Sequence, residues 1–159
     1  MRNGFITLDI LVAVVIINVA FLTLLGISAM SLNFSSSIAK TIQADALIKE
    51  EIEAIRSFRD GTDWSLDGLG AVNKGSSYHA FLDTSSNSAK WNLVSGAETV
   101  GIFTRSVVFD DVSRDPSTKN IEDNYNPSHN DSDTVKITAT VSWQDKTSEV
   151  AAFLTNWQK

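Results

Sequence analysis

The sequence predicts an α+β chain, one long N-terminal helix followed by an antiparallel sheet of about four strands. Three observations carry this expectation. Residues 10–30, ILVAVVIINVAFLTLLGISAM, hold no charged side chain. Apolar residues then recur at helical spacing as far as Phe58. Finally, from Val135 to Trp143 apolar and polar residues alternate, which is the period of a strand with one buried face.

The apolar run comes first in the chain and dominates it. No charge interrupts it from Ile10 until Lys40, and at 1.5 Å per helical residue it exceeds the roughly 20 residues that a 30 Å hydrocarbon core demands. Its polar members Asn18, Thr23 and Ser28 are isolated and neutral, which a spanning helix tolerates when they bond back to the helix or face protein. A cleaved secretory signal fits Arg2 and the small residues near Ala29, but its apolar core would be about 7–15 residues, shorter than this one. A plain signal anchor fits the length and leaves Asp9 unexplained, an acid at the lip of the apolar run where charge is costly.

The helical pattern continues past the span. Ile38, Ile42, Ala46, Lys49, Ile52, Ile55 and Arg59 fall on one stripe, widened by Ala44, Leu47, Ile48 and Phe58, with Asp45, Glu50, Glu51, Glu53 and Arg56 expected on the solvated side. Arg59-Asp60-Gly61 supplies the stop, a basic last turn and a glycine for the left-handed cap. The expected division is a lipid-facing half over residues 5–32, an amphipathic half over 33–60 and a β-sheet head over 61–159. The helix from Phe5 to Arg59 would measure roughly 80 Å.

Beyond Gly61 the composition turns to loops and strands. Residues 60–77 form a glycine-rich connection whose Trp64 and Leu66 are expected to fold back on the helix. The glycines lack the GxxxxGK[ST] spacing of a phosphate cradle. Strands are expected at residues 78–82, 90–94, 102–109 and 135–143, and the last turns through 144–146 into a hairpin partner over 147–154.

Composition limits the chemistry. Thirteen Lys and Arg against 19 Asp and Glu give a net charge of -6, with a pI near 4.8, which argues against capture of nucleic acid phosphates. There is no cysteine, hence no disulfide, thiolate metal site or cysteine nucleophile. His79 and His129 lack the spacing of a zinc site. No Ser/His/Asp grouping or carboxylate pair stands out, so no enzyme is expected. Residues 110–133 form an acidic stretch containing Asp110, Asp111, Asp115, Glu122, Asp123, Asp131 and Asp133, with Asn124, Asn126 and Asn130. Such oxygen donors suit Ca²⁺, although the spacing is not that of an EF-hand and a solvated acidic loop is the alternative. No other cofactor is expected.

The first residues carry a resemblance. Met1-Arg2-Asn3-Gly4, then Phe5, a short apolar stretch, Asp9 and the long apolar helix resemble the start of type IV prepilins and of type II secretion pseudopilins. The resemblance implies a leader of residues 1–4, cleaved after Gly4 by a prepilin peptidase on the cytoplasmic side, and N-methylation of Phe5. It implies the pilin fold, and assembly into a filament through the N-terminal helix. The partners would be other pilin or pseudopilin subunits, the peptidase and the inner-membrane assembly platform. The chain would cross the bacterial cytoplasmic membrane once, head outside the cytoplasm, before entering an extracytoplasmic filament. In the family a Glu at the position of Asp9 pairs with the N-terminal amine of a neighbouring subunit; the shorter acid here points to a minor pilin or pseudopilin. Gly26 sits where family members often carry a residue that loosens the helix on assembly, and a close helix contact explains it equally well. The strands from Phe103 onward resemble the C-terminal half of minor pseudopilins. The rival reading is a monomeric signal-anchored exported binding domain.

Overall fold

A computed structural model describes residues 3–85 and 88–157, with the side chains of residues 3–7 outside the description. The chain forms two compact units, Met1–Ile42 and Gln43–Lys159. One helix, α1 (Asn3–Asp60), passes through both. Ala44 is the first buried side chain along α1 among the described residues, close to the start of the second unit at Gln43.

In the second unit α1 packs on an antiparallel sheet of six strands, where about four were expected. These are β1 (Ser77–Asp83), β2 (Lys90–Ser95), β3 (Glu98–Val100), β4 (Phe103–Ser113), β5 (Asn130–Trp143) and β6 (Lys146–Thr155). The order is β2-β1-β4-β5-β6, with β3 paired to β4. The alternation from Val135 sets the inward face as expected: Val135, Ile137, Ala139, Val141 and Trp143 are all buried. They join Phe103, Val107 and Phe109 of β4 and Leu154 of β6 in one core with Ala44, Ile48, Ile52, Ile55 and Phe58 of α1. Each large aliphatic side chain so buried contributes about 1.5–3 kcal/mol.

The buried seam of α1 differs from the expected stripe. Ile38 and Ile42 are exposed, as are Ala46 and Lys49, whereas Glu51, expected in solvent, is 1% exposed. Ala44, Ile48, Ile52, Ile55 and Phe58 of the expected stripe are buried, and Glu51 and Ala54 join them, with Ala44, Ile48, Glu51, Ile55 and Phe58 at a spacing of four and three. Glu51 belongs there because the sheet is split beneath it. β1 pairs with β4 only at Ser77 opposite Val108 and Tyr78 opposite Val107, while β3 takes the far end of β4 from Phe103 to Arg105. The amide of Ala80 lies beyond the β1–β4 pairing and donates instead to Oε1 of Glu51 at 2.6 Å.

Of the two residues expected to fold back from the connection, Trp64 is buried in the core and Leu66 is 80% exposed. The Trp64 indole N–H donates to the Ser132 carbonyl at 3.0 Å, which fixes the ring. The chain then passes so close that a Cβ on Gly70 would lie 2.6 Å from the Trp64 carbonyl oxygen and 2.7 Å from its ring, so only glycine fits. The acidic stretch is not one loop either. Asp110 and Asp111 belong to β4 and Asp131 and Asp133 to β5. Long-range pairing, Asp110 opposite Lys136 and Asp111 opposite Val135, carries the ladder through residues of low strand preference.

Candidate functional site

The first unit is a helix with nothing over it. Every side chain of residues 8–36 is exposed, including seventeen large apolar ones between Leu8 and Phe34, such as Leu22 at 68% and Met30 at 76%. Such a surface is far beyond the few hundred Å² of contiguous apolar area that a monomeric protein leaves in water. The chain thus has one helix long and apolar enough to cross a membrane, near its N-terminus.

Three polar residues within the apolar run, Asn18, Thr23 and Ser28, are satisfied from within the helix. The Asn18 side-chain amide donates to the Val14 carbonyl at 2.8 Å, the Thr23 hydroxyl to Ala20 at 2.7 Å and the Ser28 hydroxyl to Leu24 at 2.9 Å. With these donors back-bonded, none needs water or a polar neighbour, the condition for a helix in hydrocarbon. Asp9 is an exposed side chain at the start of the apolar surface, the single ionisable residue between Thr7 and Lys40. Gly4 and Phe5 are helical in backbone, their side-chain surroundings lying outside the described residues together with Met1 and Arg2. The helix passes unbroken through Gly26, where a Cβ would meet nothing within 4 Å.

A second ionic group lies in the head. Arg105 of β4, 6% exposed, reaches three carboxylates: Glu98 at 2.6 Å, Glu50 at 3.0 Å and Glu51 at 3.4 Å. Burial pushes the carboxyl of Glu51 above its ordinary value, against the pull of the Ala80 N–H and the Arg105 guanidinium. This cluster fixes the helix over the split sheet. Its sequence signal is a charged residue at an inward position, Arg105 between Phe103 and Val107, matched by an acid in the helix seam.

The acidic residues serve the turn that joins β4 to β5. Asp115 accepts from the amides of Ser117 and Thr118 at 2.7 and 2.8 Å. Asp131 binds Arg114 at 2.5 Å and the Asp133 amide at 3.1 Å. Glu122 meets Nδ1 of His129 at 2.8 Å. The six acids Asp110, Asp111, Asp115, Asp123, Asp131 and Asp133 are not gathered around one point, and among the described residues no group of three His, Asp or Glu is placed to hold a metal ion. Burial opposes ionisation of Asp131, but Thr134, Arg114 and the Asp133 amide outweigh it and hold the carboxyl below its ordinary value of 3.8. A lowered carboxyl stabilises the fold above its unfolded value and loses that contribution as pH falls through the folded one. The expected outcome is that Asp131 titrates below 3.8 by NMR, and that Asp131→Asn removes about 0.5–1 kcal/mol near neutrality and little in acid. Titration at or above the ordinary value contradicts this.

Fold and helix together define the class: an α+β head on a helix whose first part is apolar on all sides. Compared with family models, curated proteins and solved structures, the chain gives no match.

Proposed function

We propose that the chain is a structural subunit of a type IV pilus-like or type II secretion pseudopilus-like filament, held in the cytoplasmic membrane by its N-terminal helix before assembly. One observation carries the reading: an uncovered apolar helix surface with a single acid, Asp9, at its start, four residues after Phe5 of Gly4-Phe5. An anchor needs only the apolar surface; a lone acid at its lip is useful where a neighbouring chain brings a positive partner. Cleavage after Gly4 creates that partner, the amine of Phe5. The role is mechanical and non-catalytic, with other subunits, the prepilin peptidase and the assembly platform as partners. The shorter acid favours a minor subunit.

Processing tests this reading. A peptidase that accommodates a small residue before the scissile bond is blocked by bulk there, so Gly4→Leu is expected to leave the leader attached, seen as an intact mass that retains residues 1–4. Normal maturation of Gly4→Leu would overturn the proposal.

A further inference from the structure

The head carries a cleft at the sheet face, lined by β4, β5, β6 and the turn between β4 and β5. On the outer face of the sheet Asp110, Lys136 and Phe153 stand in one row across β4, β5 and β6, Asp110 opposite Lys136 and Lys136 opposite Phe153. The turn between β4 and β5 stands over this row with Ile121, Glu122, Asp123 and Tyr125, and Lys74 closes one side. The cavity between them measures about 680 Å³, inside the range of small-molecule sites, roughly 300–1,000 Å³.

The cleft is built into the head by specific bonds. Arg114 holds the turn at both ends, through Asp131 at 2.5 Å and the Lys119 carbonyl at 3.0 Å. The Glu122 amide donates to the Ser113 carbonyl and the Asn126 amide to the Ser113 hydroxyl, each at 3.0 Å. On the other side the Gly75 amide donates to the Phe109 carbonyl at 2.8 Å, and Lys74 Nζ donates to the Leu69 carbonyl at 2.7 Å. A site fixed before its ligand arrives loses little ordering entropy on binding.

The lining selects among ligands. Two aromatic rings are left open in a polar cleft, Tyr125 at 47% and Phe153 at 49% exposure. Around them stand donors and acceptors of both signs, two lysines against four acids. The acidic excess repels phosphates and other anions. A wholly apolar ligand would strip water from six charged groups without replacing its hydrogen bonds. A neutral polyhydroxyl ring meets both demands, because its C–H face lies on an aromatic ring and its hydroxyls donate to carboxylates and accept from ammonium groups.

We propose that this cleft binds an uncharged oligosaccharide, stacked on Tyr125 and Phe153 and hydrogen-bonded by Asp110, Lys136 and Asp123. It is independent of the filament reading, since a head on an anchor would bind equally.

The test uses the full chain in detergent micelles and isothermal titration with chitotetraose, cellotetraose and maltotetraose, with a lysine-rich octapeptide as competing class. Saturable binding of at least one tetrasaccharide is expected, weakened roughly tenfold by Tyr125→Ala and again by Phe153→Ala. Each ring is half buried, so its removal lowers the unfolding temperature modestly; circular dichroism shows whether the variants remain folded at the titration temperature, and Lys136→Gln, which keeps side-chain bulk, serves as a third probe. Binding of the peptide and none of the sugars would overturn the proposal in favour of a cationic ligand. Sugar binding unchanged in all three variants, or no binding of any probe, would overturn it as well.

Discussion

Asp9→Ala is expected to leave membrane insertion and cleavage after Gly4 intact while sharply reducing incorporation into filaments. From Leu8 onward the helix offers apolar surface on all sides, so in the proposed filament the Asp9 carboxylate and the amine of a neighbouring Phe5 would leave water together. Each charge alone would be heavily penalised in that setting, and the pair offsets both costs. Removing one partner of a buried pair leaves the other uncompensated, at about 3–5 kcal/mol, a factor of roughly one hundred to several thousand in an assembly equilibrium. Asp9→Glu is expected to preserve or improve incorporation, since it keeps the charge and lengthens the reach. Shearing of filaments followed by immunoblotting of released and retained protein reads both variants. Equal incorporation of Asp9→Ala and wild type would mean that this acid meets no partner amine.

The second large effect is expected in the head. Arg105→Ala strands the carboxylate of Glu51, which is 1% exposed and, among the described residues, accepts a hydrogen bond from the Ala80 amide alone. The expected loss is about 3–5 kcal/mol of folding free energy, measured by urea denaturation of the detergent-solubilised protein. Pairing Arg105→Met with Glu51→Gln removes both charges and retains an acceptor for Ala80, so the double variant should be more stable than Arg105→Ala. A double-mutant cycle showing no coupling between positions 51 and 105 would contradict the account of the helix–sheet contact.

These two sites differ in how far the sequence discloses them. Asp9 is legible because its context is local: one acid bordering a run that excludes charge from Ile10 to Ala39. Likewise the strand from Val135 announces itself by alternation, and the helix by its length. Glu51 is misread because its partners come from far along the chain, Ala80 through a split in the sheet and Arg105 through β4. Helical spacing places an acid on a face but cannot say that a strand has lost its neighbour beneath that face. β3 is missed since it is three residues long between Gly96 and Gly101, both with positive φ, and its pairing with β4 exists only in the folded head. The acidic stretch misleads in the same way: Asp110 and Asp111 have low strand preference, yet cross-strand partners Lys136 and Val135 hold them in β4. Tyr125 and Phe153, 28 residues apart in sequence (153 minus 125), share a cleft only because β5 returns the chain beside β4 and β6 beside β5.

The central claim is that the apolar helix is kept and put to use in assembly after its leader is removed. N-terminal sequencing of the mature protein from its native membrane, with mass spectrometry of the first peptide, tests that claim most directly. A chain starting at N-methylated Phe5 is the predicted result. A chain starting at Met1, which a plain anchor would keep, or beyond Ala29, which a cleaved secretory signal would leave, would contradict it.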